Sequence, residues 1–246
     1  MAAPLSGERA DTRSPARMSM ISAAERIVAE RGLTAMSLRV VQQESGQRNK
    51  SAAQYHFGSR DGLIEAVLAT RMAAVNERRR ALLDSIEHRP TDETALRPLV
   101  EALVRPVAEQ TVMLPESCWA RFVVQAGNDP GVAEVVRCRV EGEPYRELVE
   151  RLGAAMTGVP EPLRRLRVER AVGVVFASLA AGEQARDLGL PTAVGLECRI
   201  EDLIDATVAL LAAPPSGATL AALDGPADQR ASAAASAAPP APTETR

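Results

Sequence analysis

The run Asn49-Lys50-Ser51-Ala52-Ala53-Gln54-Tyr55-His56 gathers side chains that can read the edges of base pairs. Asn and Gln offer adenine a donor and an acceptor side by side, Lys suits guanine, and Ser bonds either. Ala52 and Ala53 are small enough to allow close approach or to touch a thymine methyl. Lys50 is the only lysine in the chain, every other cation being Arg. Tyr55 and Arg60 are spaced to reach phosphate oxygens, which position a protein without reading its target. Ser37, Arg48 and His56 complete the candidate set. For His56, phosphate contact and packing are both open.

Such side chains need a short helix held out from a scaffold, and the neighbouring sequence supplies one. Ser14-Pro15 reads as a helix start, with Ser as the cap and Pro at the first helical position. Met20, Ala24, Ile27 and Val28 then share one face, and Gly32 stops the helix. Ser37 opens a second short helix through Leu38, Val40 and Val41, which ends at Gly46. The third runs from Asn49 to His56. Ser59 caps a long fourth helix that reaches about His88. Three short helices with a tight turn between the last two are the layout of a helix-turn-helix, whose second element enters the major groove. The plain alternative is a three-helix segment with a solvated polar face.

The stretch Gln54-Tyr55-His56-Phe57-Gly58-Ser59-Arg60-Asp61-Gly62-Leu63 resembles the signature of the TetR family of bacterial transcriptional regulators. In that family a Tyr-x-x-Phe or Tyr-His-Phe element closes the recognition helix, and a Gly/Asn-Ser-Lys/Arg-Asp/Glu-x-Leu turn opens helix four. Ala23 to Leu33 and Ser37 to Val41 are similar to the family's first and second helices, so the resemblance covers residues 17–69. One departure is an extra residue between Gly46 and Phe57, with Gln47-Arg48-Asn49-Lys50 where Val-Ser is usual. It leaves the start of the recognition helix open by one position. The resemblance implies a homodimer on a palindromic operator in double-stranded DNA. It also implies an all-α C-terminal domain that dimerises through its last two helices and holds a small-molecule inducer. The implied activity is repression relieved by that inducer. A regulator of the same fold that activates, or that works through a protein partner, is the alternative.

The rest of the chain is read as helices at about 93–112, 116–127, 131–157, 161–187 and 192–212, punctuated by Leu114-Pro115, Asp129-Pro130-Gly131, Gly158 to Pro160 and Leu190-Pro191. The fold expected is all-α with about nine helices. Its organisation reads as a flexible arm (1–13), a helix-turn-helix DNA-binding domain (14–60), a ligand-binding and dimerisation domain (61–213) and a disordered Pro/Ala-rich tail (214–246). Candidate ligand contacts are Met113, Trp119, Phe122, Tyr145 and Phe176, with Leu103, Cys118, Gln125 and Met156 behind them. For each, ordinary core packing is the competing reading. Arg105 and Arg121 sit among apolar residues and are read as ion-paired or as partners for an anionic ligand. The broad apolar faces at 161–187 and 192–212 suit a four-helix dimer interface.

Composition narrows the classes. Of the 246 residues, 46% are hydrophobic and only 2% aromatic, too few for a surface that stacks single-stranded bases. The net charge of −3 is unevenly spread: residues 1–60 carry nine basic and five acidic side chains, and the acidic excess lies beyond them. No apolar run approaches the roughly 18 residues of a membrane helix, and no secretory leader is visible, so a cytoplasmic protein with free thiols is expected. Cys118, Cys138 and Cys198 lack metal-ligand spacing. Arg137 and Arg139 flank Cys138, the electropositive setting a thiol sensor needs; an inert thiol is the alternative. With two distant histidines, no nucleophile–base pair and no phosphate-binding glycine loop, neither an enzyme nor a metal or cofactor site is expected.

Overall fold

A computed structural model describes residues 14–49, 51–87 and 96–223. The expected arm 1–13, Lys50, the loop around Arg89 and the tail beyond Leu223 lie outside them. The described residues form eleven α-helices and no strand. They are α1 (Pro15–Arg31), α2 (Leu38–Glu44), α3 (Ala52–Phe57), α4 (Arg60–Glu87), α5 (Leu96–Gln110) and α6 (Trp119–Gly127), followed by α7 (Ala133–Val140), α8 (Glu143–Ala155), α9 (Glu161–Asp187), α10 (Leu196–Ala212) and α11 (Gly217–Leu223). A 3-10 turn, Leu33–Ala35, joins α1 to α2.

Local chemistry sets the ends of the first helices. The Ser14 hydroxyl accepts from the Arg17 amide at 3.3 Å, Pro15 opens α1, and Gly32 closes it at φ 81°. Ser37 caps α2 by accepting from the Val40 amide at 3.2 Å. The stretch 131–157, read as one helix, is two. Gly142 precedes α8 and Pro144 lies in its first turn, where a missing amide hydrogen does no harm. In a continuous helix that proline would break the hydrogen-bond ladder. Within the segment read as a tail, Gly217–Leu223 is helical.

The chain divides into two units, Met1–Ala212 and Ala213–Arg246. In the first, one continuous apolar core runs from Met20, Ile27 and Val41 through Leu63, Leu68 and Val75 to Trp119, Phe122, Leu148 and Ile204. α1 packs on α6, α4 on α5 and α7, α9 on α6 and α10, and α10 on α5. The three short helices therefore share their core with the helical body. Among the described residues, no single helix is long and apolar enough to cross a membrane.

Candidate nucleic-acid interface

α2 and α3 meet across a tight turn in which Gly46 takes φ 70°, a left-handed value that glycine adopts without strain. α3 begins at Ala52, later than the sequence pattern implies. The Asn49 carboxamide oxygen accepts from the Ser51 amide at 3.1 Å and lies 3.2 Å from the Ser51 hydroxyl. This Asx turn holds Asn49 and Ser51 outside the helix as exposed loop residues.

The six residues of α3 divide sharply by face. Ala52, Ala53 and Phe57 are buried, whereas Gln54 and Tyr55 point to solvent, Tyr55 at 75% exposure. Burial corrects the expectation that Ala52 and Ala53 approach DNA: so short a helix docks with its smallest residues against the core. Phe57 is covered by the Arg17 guanidinium, 5.5 Å from the ring centre. His56 is half-buried between the rings of Tyr55 and Phe57, at 5.1 and 6.1 Å.

Arg60 also departs from expectation. Its Nε donates to the Met36 carbonyl at 3.2 Å and Nη2 to the Leu33 carbonyl at 3.0 Å. The guanidinium ties the start of α4 to the 3-10 turn instead of reaching outward to phosphate. Ser37 is exposed, but its hydroxyl is engaged as the α2 cap.

A cleft of about 640 Å³ lies between α2 and α3, with Arg39, Gln42, Gln43, Gln47, Arg48 and Gln54 among its walls. Among the described residues, neither Arg39 nor Arg48 has a carboxylate within ion-pair distance. Arg39, Gln42 and Gln43 line this cleft and were absent from the candidate set read from the sequence. Their spacing on α2 was the available signal, since positions three and four apart share a helix face.

A second hollow, of about 520 Å³, opens in the body between α6, α7, α8 and α9. Val123, Val136, Val140, Val172, Tyr145 and Phe176 form its largely apolar wall. Of the five candidate ligand contacts, Tyr145 and Phe176 line it. Trp119 stands behind Phe176, edge-on at 5.9 Å, fully buried and with its indole nitrogen unpartnered. Phe122 is core, and Met113 is 43% exposed in the turns after α5. Neither is at the cavity, because Met113 precedes α6 and Phe122 lies on its core side. Arg105 pairs with Glu197 at 2.9 Å and with Glu201, and Arg121 pairs with Asp187, so neither is offered to a ligand.

Arg79 of α4 was missed altogether. It is 2% exposed and lines a small void that shares Val140, Tyr145, Val172 and Phe176 with the larger cavity. In the sequence Arg78-Arg79-Arg80 reads as a solvated charge run. Only the spacing from Val75 and to Leu83 places Arg79 on the apolar face.

Cys138 is exposed, but its setting is acidic. Arg137 is paired with Glu134 and Glu141 and Arg139 with Glu65, while the thiol lies 3.3 Å from Glu134. That hydrogen bond raises the thiol pKa, with burial adding to it, opposite to what a thiol sensor needs. Among the described residues no His, Cys, Asp and Glu cluster could hold a metal.

Two buried carboxylates connect interface and cavity. Glu25 of α1 accepts from Arg71 of α4 in a two-pronged pair at 2.8 and 2.7 Å. Glu183 of α9, fully buried, accepts from the Ala120 and Arg121 amides at 3.2 and 3.0 Å and lies 3.1 Å from the Ser117 hydroxyl. It thereby caps α6, the helix that touches both α1 and the cavity. Burial raises the Glu183 pKa despite these bonds. The fold therefore holds its proton more tightly than the unfolded chain does. The stabilisation is fully present below the ordinary value of 4.5 and is lost as pH rises through the raised one. Glu183→Gln keeps an acceptor and cannot ionise. Urea titrations of both proteins from acid to neutral pH should show wild type losing stability relative to the variant. A constant difference would refute the assignment.

No family model matches the sequence, and no curated protein matches it. Solved structures do. A TetR-family transcription regulator from Marinobacter aquaeolei VT8 superposes with a TM-score of 0.50 at 18% identity, over 82% of this chain and 97% of that one. A transcriptional regulator from Rhodococcus sp. Rha1 gives 0.51 at 23% identity, over 79% and 95% of the two chains. AmtR of Mycobacterium smegmatis gives 0.52 at 19%, over 86% and 97%. At such identities the likeness establishes the fold, which is that of these regulators.

Proposed function

We propose that this chain, which has the fold of TetR-family transcription regulators, is a sequence-specific DNA-binding member of that family whose grip on DNA is set by a small molecule. The observation that carries the reading is the α2–α3 cleft. It presents unpaired Arg39 and Arg48 beside Gln42, Gln47 and Gln54, with Tyr55 standing clear of the surface. Amides suit base edges and guanidiniums suit guanine or phosphate. Lys50, outside the described residues, belongs to the same set by sequence.

A two-fold dimer would place two such surfaces one helical turn, about 34 Å, apart on a palindrome. The exposed Leu166 and Val174 of α9 and Leu196 of α10 supply an apolar face for it. The cavity adjoins α6, which packs on α1, so its occupancy can bias how the short helices are held. A ligand that prefers the arrangement unfit for DNA releases the operator, as for a repressor.

Selection of bound fragments from random double-stranded DNA tests this directly, and a recovered palindrome supports it. With that operator, Gln54→Ala should cost about 1–3 kcal/mol and relax the preference at one position. Arg39→Ala should weaken all sequences alike and flatten the salt slope by about one unit if it grips phosphate. Recovery of only salt-sensitive, sequence-blind binding would defeat the proposal.

A further inference from the structure

We infer that the cavity takes an apolar small molecule carrying a single carboxylate, and that Arg79 receives the carboxylate. The inference rests on the reading of the chain as a ligand-responsive regulator and names the ligand's chemical class.

Arg79 is a buried cation without a counter-ion. Its Nε donates to the Ala102 carbonyl at 3.3 Å and Nη1 to the Asn76 side-chain oxygen at 3.0 Å, both neutral acceptors. Among the described residues no carboxylate lies within ion-pair distance of it. A guanidinium has five N–H donors in a planar fork, which a carboxylate matches with two parallel bonds. Burial draws the Arg79 pKa down to about 10, the mark of a charge that its surroundings do not compensate. The Tyr145 ring lies against the guanidinium, 5.7 Å from its carbon.

Position makes this cation a recognition group. The void at Arg79 measures only about 10 Å³, but Val140, Tyr145, Val172 and Phe176 wall both it and the 520 Å³ cavity. The two spaces share these walls, so a ligand that fills the cavity and displaces the Tyr145 ring, which lies against the guanidinium, meets the positive charge. At the cavity rim the cations are already paired, Arg137 with Glu134 and Glu141, and Arg165 with Glu169. The rim therefore offers an anion no unpaired cation, and the buried Arg79 does. Arg79 and Arg71 share α4, eight residues or about 12 Å apart. A head group bound at Arg79 thus acts on the helix whose Arg71 holds α1 through Glu25.

The test titrates the full chain with octanoate, decanoate and dodecanoate, and with the matching alcohols and amines, all below micelle formation. Trp119, the only tryptophan, packs on Phe176 of the cavity wall, so its fluorescence reports filling. The shift in thermal unfolding is the second readout. Carboxylates should bind at least about tenfold tighter than alcohols of equal length, and amines weakest. Arg79→Met should abolish that preference while changing alcohol affinity by less than about threefold, and Arg79→Lys should keep part of it. Equal binding of carboxylates and alcohols, a preference that survives Arg79→Met, or no carboxylate binding at all overturns the inference. Should Arg79→Met not fold, the wild-type series and Arg79→Lys decide. No DNA enters these titrations, so a failed fragment selection sinks the regulator reading separately.

Discussion

Arg71→Met is expected to remove about 3–5 kcal/mol of folding stability, a large part of what a domain of this size possesses. Its partner Glu25 is 2% exposed, and among the described residues the only hydrogen bonds to its carboxylate come from the Arg71 fork. Without Arg71 a carboxylate is left in the core with neither water nor a cation. The loss measures an unpaired buried charge and not the worth of the pair, so the double variant Glu25→Leu/Arg71→Met should recover most of it. Urea unfolding of the two single variants and the double variant closes the cycle. A loss under about 1 kcal/mol in Arg71→Met would mean that water reaches Glu25 and the pair is a surface contact. Because the pair joins α1 to α4, the proposed DNA binding should also weaken in Arg71→Met.

Gly62→Ala should cost about 3 kcal/mol, the upper end for adding one carbon to a packed site. A β-carbon there would lie 2.1 Å from the Phe57 carbonyl oxygen, well inside contact distance. The oxygen belongs to backbone and a β-carbon is fixed by it, so no side chain can rotate aside. The Gly62 amide also donates to the Ser59 hydroxyl at 3.0 Å, the cap that starts α4. Relief therefore means prising α4 away from the end of α3, and DNA binding should fall with stability. Gly153→Ala is the control. Gly153 lies within α8 with open space at its β-carbon, so alanine should be neutral or stabilise by up to about 1 kcal/mol. Equal thermal shifts in the two variants would show that the turn after α3 yields freely.

The features legible in the amino-acid order are those whose causes lie within a few residues. Ser14-Pro15, Ser37 and Ser59 mark helix starts because a hydroxyl and the amides it caps are three positions apart. Gly32 and Gly46 mark stops for the same local reason. The exposure of Gln54 and Tyr55 was legible from their polar side chains, whereas the inward turn of Ala52 and Ala53 was not, because it depends on the core that α3 docks against. The all-helical fold followed from the apolar spacing along each helix. Properties that depend on which distant segments meet emerged from the packing. Arg60 is spent on the Leu33 and Met36 carbonyls, more than twenty positions away in the chain. Glu183 caps a helix some sixty residues before it. Met113 and Phe122 have the composition of ligand contacts and miss the cavity, whereas Arg79 has the composition of a surface residue and is buried in a small void that shares four of the cavity's wall residues. A residue type carries its hydrogen-bonding and charge chemistry wherever it falls, but desolvation and partners are set by packing, and those decide whether a charge is solvated, paired or held ready for a ligand.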